Sequence, residues 1–527
     1  MLGLLVFLFF GVMCLWCVSL VGWWGSFTFV GYVLKDLMFC FFIDETSLVC
    51  AFMLVCCGSI ALFYCYHYFG GSKEGGLLFP LIVWFLGVMG VLIFTSSMIF
   101  SLVLWEYLGL VSFFLILFYS NSSSMRASLI TVFASRFGDV SLFVLVMWFV
   151  NWLEFSGALF VLLYLLVVLS KSAAYPFISW LLEAMRAPTP VSSLVHSSTL
   201  VAAGAWFVYR YNYFCTPGLL EVLFFFSLVS VIITGLCAVV FIDLKKIVAL
   251  STCNNIAWCL IFFVCGDLML ALLQLLTHGV CKCYLFMAVG DLMSSSGGSQ
   301  SGIGVYLSRY SGVYGVVSQL LLIFSLCGLP FLGVFFSKHG LFCAFLYNYS
   351  LISLVGLLAG FFISYLYSTR LALFLFMGVG GLNFGYSSSF VLIGLISFFG
   401  TLVNYGGSCL FMELYELDTM WGVGFSVLQL VGCLAGGLLF VYNVSWGSGV
   451  WESLLWGNDG LVMWLYSIYL RVTEVCVFSF YRWEVYLLGL WSGYDRLGVG
   501  YRSSLFSLNV LVAGVLLLMM LFFVIGS

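Results

Sequence analysis

Seven ionisable side chains interrupt segments of this sequence that are otherwise apolar enough to enter a bilayer. They are Glu106, Asp139, Lys171, His196, His278, Lys282 and Lys338. A charge near the middle of a membrane costs several kcal/mol, and such a residue is usually functional, with a partner on another helix. Acids and bases can pass protons to one another. A series with about one group per helix therefore predicts a hydrated line of titratable groups across a helix bundle.

Lys171 is the centre of this series. The run from Leu162 to Trp180 reads LLYLLVVLSKSAAYPFISW and contains no carboxylate. Pro176 follows the lysine by five residues, so we expect the helix to loosen there and its freed backbone groups to need water or neighbouring helices. A lysine beside such a break is a suitable proton site. The alternative is a lysine that reaches the membrane interface from a helix end.

Structural alternatives exist for two of three further members of the series, Asp139 and His196. Glu106 lies well inside an apolar run, in LVLWEYLGLVSFFLILF. Asp139 follows Arg136 at i+3 on one helix face, so the two could neutralise each other without a functional role. His196 stands in VSSLVHSSTL, where hydrogen bonds to the local serines are the alternative to a role in proton transfer.

The second half of the series offers fewer alternatives. His278 and Lys282 are at i and i+4, one above the other on a helix face, and two basic groups stacked in an apolar helix repel. Lys338 follows a segment broken at Gly328-Leu-Pro330. Two broken helices in corresponding halves, each with a nearby lysine, are typical of inverted-repeat transporters. Lys245 and Lys246 predict a membrane boundary on the negative side, although one of them can point inward.

These groups lead to a mechanistic hypothesis. Lys171 keeps its proton while Glu106 is close and releases it when the pair separates. The proton then moves through water to His196 or Lys282 and onward to Lys338. Moving one charge against the membrane potential costs about 2.3 kcal/mol per 100 mV, so an outside energy source is required.

Nothing in the sequence supplies that energy. It has no nucleotide-binding glycine loop after a strand and no credible iron–sulfur or haem ligands. Cys14 and Cys17 form a CxxC, but inside an apolar segment that disfavours the thiolates which metal or redox chemistry needs. We therefore expect no metal site, no disulfide framework and no cofactor bound by this chain.

The composition identifies the class of protein. Of 527 residues, 64% are hydrophobic and 7% are charged, whereas soluble domains carry roughly 25% charged residues. At about 20 residues per spanning helix, we expect an all-α polytopic membrane protein with roughly fourteen to sixteen transmembrane helices and no soluble domain. No basic tract suits nucleic acid. In residues 445–503 charges recur every few residues, which predicts an amphipathic helix along a surface before a last span at 508–525.

Several sequence blocks are similar to a known family. They are WEYLGLVSFFLI (105–116), SRFGDV (135–140), KSAAYPFISWLLEAMRAPTPVSSLVHSST (171–199), DLKKIVALST (243–252), THGVCKCYLF (277–286) and FFSKH (335–339). Together they span most of residues 100–340. In these blocks the chain resembles the chain 5 family of membrane subunits of the proton-pumping NADH:ubiquinone oxidoreductase, respiratory complex I, which mitochondrial DNA encodes. The abundance of residues with codons rich in T and G also suggests an organelle genome.

The resemblance implies an antiporter-like core with two inverted five-helix repeats, a lateral helix and a C-terminal anchor helix. The implied divisions are 1–97 (N-terminal helices), 98–241 and 242–409 (the repeats), 410–444 (a further helix), 445–503 (the lateral helix) and 504–527 (the anchor). It also implies a Glu106–Lys171 pair, a central relay of His196, His278 and Lys282, and proton exit at Lys338.

The resemblance further implies which membrane, cofactors and partner subunits surround the chain. NADH, FMN, iron–sulfur clusters and ubiquinone would belong to other subunits of the complex in the mitochondrial inner membrane. Partners would be the other membrane-arm subunits, especially the chain 4 and chain 2 paralogues, contacted through the lateral helix.

The sequence departs from the family pattern at three places. His339 stands where an acid often follows the exit lysine, Arg186-Ala187 replaces a usual Glu-Gly, and Ile178-Ser179 replaces a His-Pro pair. Two other functions remain open from the sequence. One is a stand-alone cation/proton antiporter subunit of the same superfamily, and the other is a membrane scaffold whose buried charges only pair structurally.

Overall fold

The computed structural model describes most of the chain as packed helices. It describes residues 27–34, 37–70, 72–151, 157–265, 268–295, 312–330, 332–348, 351–377, 419–442 and 459–494, together with 298, 300, 455, 512, 514 and 515. The chain divides into two compact units, residues 1–459 and 460–527. The predicted last span at 508–525 lies outside the described residues apart from 512, 514 and 515, and Cys14 and Cys17 lie outside them as well.

The first segment that the structure describes is a β-hairpin, which was not predicted from the sequence. Strand β1 (Phe27–Leu34) pairs antiparallel with β2 (Leu37–Ile43), from Phe27 opposite Ile43 to Leu34 opposite Leu37. Both strands are rich in aromatic and β-branched residues, which suit a pleated surface. In a chain this apolar the same residues also fit a membrane helix, so composition alone could not separate the two.

Helices form most of the rest of the first unit where the structure describes it. In chain order they are α1 (Glu45–Phe69), α2 (Lys73–Phe94), α3 (Met98–Leu117), α4 (Ser122–Asn151), α5 (Gly157–Lys171), α6 (Ser179–Ala184), α7 (Thr189–Leu194), a π-helical turn (Val195–Thr199), α8 (Leu200–Arg210), a 3-10 turn (Asn212–Phe214), α9 (Pro217–Val240), α10 (Leu244–Val264), α11 (Leu268–Ser295), α12 (Gly312–Cys327), α13 (Phe335–Asn348), α14 (Leu351–Met377) and α15 (Thr419–Val441).

The polytopic prediction is confirmed. Within the described ranges, ten helices are long and apolar enough to cross a membrane: α1 to α4, the α7–α8 segment, α9 to α11, α14 and α15. The α7–α8 segment is 100% buried and α10 is 94% buried, whereas only 22% of α15 is buried. The core of the bundle is therefore α7–α8 and α10, and α15 lies at its edge.

One predicted loop is much shorter than expected. The glycine, serine and charged residues of 67–76 (HYFGGSKEGG) favour a loop over the whole stretch. Helix α1 instead continues to Phe69, the chain turns at Gly70, and α2 begins at Lys73. His67 consequently lies in the last turn of α1 rather than in a loop.

The two predicted helix breaks are both present. Helix α5 ends at Lys171 itself, five residues before Pro176, and α6 starts only at Ser179. Helix α12 ends at Cys327, where Gly328 takes a left-handed backbone (φ 80°), and α13 starts at Phe335. Carbonyls at such helix ends lack intrahelical partners. The Trp180 indole donates to Ser170 O at 2.9 Å, which satisfies one of them.

A close backbone approach holds the first break in place. A Cβ on Gly204 of α8 would lie 2.7 Å from the backbone nitrogen of Ser172 and 2.9 Å from its Cβ. We expect Gly204→Ala to destabilise the protein by about 1–3 kcal/mol through overpacking, and to disturb proton transport by shifting the segment after Lys171. The melting temperature of the assembled protein measures the first effect.

The matched control is Gly87→Ala in α2, where a Cβ would meet nothing within 4 Å. Alanine is the better helix former by about 1 kcal/mol, so this variant should be as stable as the parent or more so. Equal melting temperatures for the two variants would contradict the packing argument.

The second unit contains the long helix α16 (Asp459–Tyr494). The side chains described between Arg471 and Leu488 are exposed except Thr473. A helix in this region was predicted and is confirmed over the described residues 459–494. Its lateral placement stays a prediction.

Candidate functional site

Lys171 pairs with a carboxylate other than the predicted one. Its Nζ lies 3.5 Å from Oδ1 of Asp139, and both side chains are almost fully buried (1% and 3% exposed). The ammonium also lies 5.2 Å from the centre of the Trp105 ring. The predicted Glu106–Lys171 pair is wrong in this structure, because helix α4 presents Asp139 to the end of α5.

Glu106 instead pairs with Arg136 of α4. These two side chains are partly exposed, Glu106 by 36% and Arg136 by 52%. Arg136 NH1 also lies 3.8 Å from Asp139 Oδ2, which confirms the predicted i, i+3 contact. Glu106, Arg136, Asp139 and Lys171 therefore form one chain of alternating charge that runs from the bundle surface to its core.

A small cavity joins Lys171 to His196. It has a water-accessible volume of about 10 Å³, close to the minimum for one water. Both ionisable side chains line it, with hydroxyls of Ser112, Thr131 and Ser135 and the Trp180 ring on its other walls. A water molecule in this cavity could carry a proton between the lysine and the histidine.

His196 is buried in the π-helical turn, with 0% exposure. Neither of its ring nitrogens has a hydrogen-bond partner within the described ranges. The expected bonds to local serines are absent there because those hydroxyls donate to the backbone: Ser198 Oγ and Thr199 Oγ1 both bond Leu194 O, at 3.2 and 2.9 Å. The imidazole is left available for proton exchange.

His278 of α11 packs against the same π-helical turn. A Cβ on the next residue, Gly279, would lie 3.4 Å from Ser198 Cβ and 2.6 Å from Met53 Sδ, so the two backbones approach closely. The His278 ring faces the backbone of Ser197, and neither nitrogen meets a partner in good hydrogen-bond geometry in the described part of the chain. The two buried imidazoles thus belong to directly packed elements.

Lys282 lies one turn further along α11 and is 1% exposed. Its ammonium donates to the Ser251 hydroxyl and to Val248 O at 3.4 Å, both on α10. A second cavity of about 10 Å³ is lined by Lys282, Ser251, Asn255 and Ser368, and reaches Cys327 at the end of α12. It connects the middle of the bundle with the second helix break.

Lys338 occupies that break. Its Nζ donates to Cys327 O at 2.8 Å, an otherwise unpaired helix-end carbonyl, and to Ser364 Oγ at 3.5 Å. The rings of Trp258, Phe361 and Tyr365 surround the ammonium at 5.6 to 5.9 Å. Aromatic faces stabilise a desolvated cation.

Each of the two helix breaks therefore has a buried lysine at the end of the broken helix. Lys171 ends one helix and Lys338 bonds the end of the other, as the paired-break pattern predicted. His339 follows Lys338, and its Nδ1 lies 3.8 Å from Cys343 Sγ.

The site also contains residues that had no role predicted from the sequence. Lys245 points inward, 6% exposed, and donates to Ala187 O at 3.3 Å, whereas Lys246 pairs with Asp243 near the surface at 3.6 Å. Their dibasic motif predicted that one could turn inward but not which. Trp105 and Trp258 carried no local signal, because aromatic residues are common throughout this chain.

Comparisons with known proteins agree with this architecture. Residues 95–366 match the sequence profile of the NADH:quinone oxidoreductase/Mrp antiporter membrane family. Chain 5 of NADH-ubiquinone oxidoreductase from Locusta migratoria is 32% identical over 448 residues, covering 76% of this chain and 75% of that protein. The chain 5 protein of Ascaris suum is 33% identical over 383 residues, covering 70% and 66%.

Two solved structures share the fold. The Mrp complex from Dietzia sp. DQ12-45-1b superposes with a TM-score of 0.72 at 19% identity, covering 97% of this chain and 59% of the matched chain. The membrane-bound sulfane sulfur reductase, an archaeal respiratory membrane complex, gives a TM-score of 0.66 at 14% identity, covering 84% and 93%.

Proposed function

This chain belongs to the NADH:quinone oxidoreductase/Mrp antiporter membrane family, and we propose that it is the chain 5 subunit of a respiratory NADH:ubiquinone oxidoreductase. It moves protons across the mitochondrial inner membrane as part of the membrane arm. The electron-transfer chemistry of NADH, FMN, iron–sulfur clusters and ubiquinone takes place in other subunits. The chain 4 and chain 2 paralogues are its membrane-arm neighbours, reached through the region of α16. The stand-alone antiporter alternative is not favoured, because the relatives described above are oxidoreductase subunits.

One observation carries the proposal. Buried ionisable groups follow one another from the first helix break to the second, with one small cavity between Lys171 and His196 and another beside Lys282. A scaffold needs only paired charges, yet the two ring nitrogens of His196 lack hydrogen-bond partners within the described ranges. Unpartnered buried polar groups are costly, so their retention favours a role in proton exchange.

The first proton-transfer step uses the alternating charges around Lys171. While Asp139 stays close, it holds the ammonium in its charged form. Arg136 contacts Asp139 from the other side at 3.8 Å and can draw the carboxylate away when its contact with Glu106 changes. The Lys171 ammonium then loses its attractive partner and gives one proton to water in the adjoining cavity.

The later steps follow the row of bases. The neutral His196 ring takes the proton from the cavity and passes one to His278, which lies on the element packed against it. Lys282 receives it one helical turn further on. The second cavity then leads to Lys338 at the other break. Transport against about 100 mV costs about 2.3 kcal/mol per charge, which electron transfer elsewhere must supply.

Replacement of Lys171 tests the proposal. We expect Lys171→Met to lower NADH-driven proton pumping by at least about tenfold, because the variant keeps the side-chain bulk but removes the proton. Pumping is measured per NADH oxidised in membrane vesicles that contain the assembled complex. Lys73→Met at the exposed start of α2 is the matched control. Normal assembly with unchanged pumping in the Lys171 variant would favour a scaffold.

A further inference from the structure

A polar cluster at one end of the bundle has no role in the path described above. It consists of His67 and Tyr64 on α1, Asp291 on α11 and Thr189 at the start of α7. His67 Nε2 lies 3.7 Å from Asp291 Oδ1, and these side chains are 30% and 12% exposed. Tyr64 is 0% exposed and Thr189 is 2% exposed. The cluster therefore extends from the partly exposed His67 at the surface to the buried Tyr64 and Thr189 in the core.

The buried members of the cluster are in direct contact. Tyr64 Oη donates to Met287 O at 3.1 Å, and it also lies next to the Asp291 carboxylate and the Thr189 hydroxyl. Gly290 makes this approach possible, since a Cβ there would lie 2.5 Å from Tyr64 Oη and 3.2 Å from Thr189 Oγ1. A residue with a side chain at position 290 would close the space between the two hydroxyls.

The cluster leads toward the central relay. Lys245 is the next buried cation inward, and its Nζ bonds Ala187 O, two residues before Thr189. His196 lies seven residues after Thr189, about two helical turns along the same segment. Lys245 and Lys246 lie at the same end of the bundle as the cluster. By the positive-inside rule, this excess of lysine identifies the end that faces the negative side of the membrane.

We infer that His67, Asp291, Tyr64 and Thr189 form the proton-uptake branch that feeds the His196 relay from the negative side; this rests on the proposed function. Asp291 takes a proton from surface water, with His67 as its neighbour in the pair. The Tyr64 oxygen accepts that proton while its own hydroxyl proton passes to Thr189, so the phenol gains one O–H bond and loses one. Thr189 passes a proton inward in the same way, to water that leads to His196.

Isosteric removal of the Tyr64 hydroxyl tests this branch. We expect Tyr64→Phe and Asp291→Asn each to slow NADH-driven proton pumping by about tenfold in vesicles with normal amounts of assembled complex. Asp291→Glu should restore most of the rate, because a carboxylate is again present. Tyr68→Phe removes a hydroxyl four residues further along the same helix, on a ring 5.9 Å from that of Tyr64, and should leave pumping unchanged.

The outcomes separate the two proposals. Unchanged pumping in Tyr64→Phe, with pumping lost in Lys171→Met, would overturn the uptake branch and leave the proposed function standing. Unchanged pumping in Lys171→Met would overturn the proposed function itself. Slow pumping in Asp291→Asn that Asp291→Glu does not restore would indicate a structural contact, and the uptake branch would again be wrong.

Discussion

Lys282→Met is expected to lower NADH-driven proton pumping by about a hundredfold in the assembled complex. Lys282 lies between the stacked His278 and the cavity that reaches Cys327, so it joins the two halves of the path. Methionine fills the space but carries no proton. Pumping is followed with a pH-sensitive dye in sealed vesicles, together with the rate of NADH oxidation.

A second substitution separates charge from proton transfer. Lys282→Arg keeps the positive charge beside Ser251, but a guanidinium does not give up its proton in proteins. We therefore expect it to pump as poorly as the methionine variant. Lys246→Met removes a partly exposed lysine from the neighbouring helix and is the control. Normal pumping in Lys282→Arg would mean that this position supplies only charge.

Arg210→Met is expected to lower the free energy of unfolding by about 1–3 kcal/mol, because it leaves the partly exposed Asp44 carboxylate and two backbone carbonyls without their donor. Arg210 NH1 bonds Asp44 at 2.6 Å, Nε bonds Thr95 O at 2.9 Å and NH2 bonds Phe42 O at 3.0 Å. One guanidinium thus joins the end of α8 to the hairpin, to the start of α1 and to the end of α2. We expect a lower melting temperature and less assembled complex.

Two variants calibrate that result. Arg126→Met removes an exposed arginine near the start of α4 and should change the melting temperature little. Asp44→Asn keeps an oxygen that can accept the hydrogen bond, so it should cost less than Arg210→Met. If Arg210→Met and Arg126→Met assembled equally well, the hydrogen bonds of Arg210 would not be important for stability.

Much of the fold could be predicted because the signals are local. Apolar runs of spanning length identify membrane helices whatever their neighbours, and Pro176 and Pro330 with Gly328 indicate breaks because proline and glycine act on their own backbone. The β-hairpin escaped prediction because its residues are as apolar as those of a membrane helix.

The burial of the candidate residues could be predicted better than their pairing. All seven candidate residues are present in the described structure, and six of them are almost fully buried: Asp139, Lys171, His196, His278, Lys282 and Lys338. The partner of Lys171 was wrong, and neither Lys245 nor the Tyr64–Asp291 contact was assigned a role. These contacts depend on how neighbouring helices rotate against one another, and single-segment patterns do not contain that rotation.

By itself the sequence determined that this protein is a polytopic membrane protein with two interrupted helices. It also determined that titratable side chains lie deep in the membrane, where a charge costs free energy. Each of those conclusions follows from the free energy of moving one segment from water into lipid, to which the segment's own residues contribute most. Only the tertiary structure decided that Asp139, not Glu106, faces Lys171, and that Arg210 holds the hairpin. The reason is that a buried charge takes the partner which the packing of distant helices brings within reach, and the helix surfaces together set that packing.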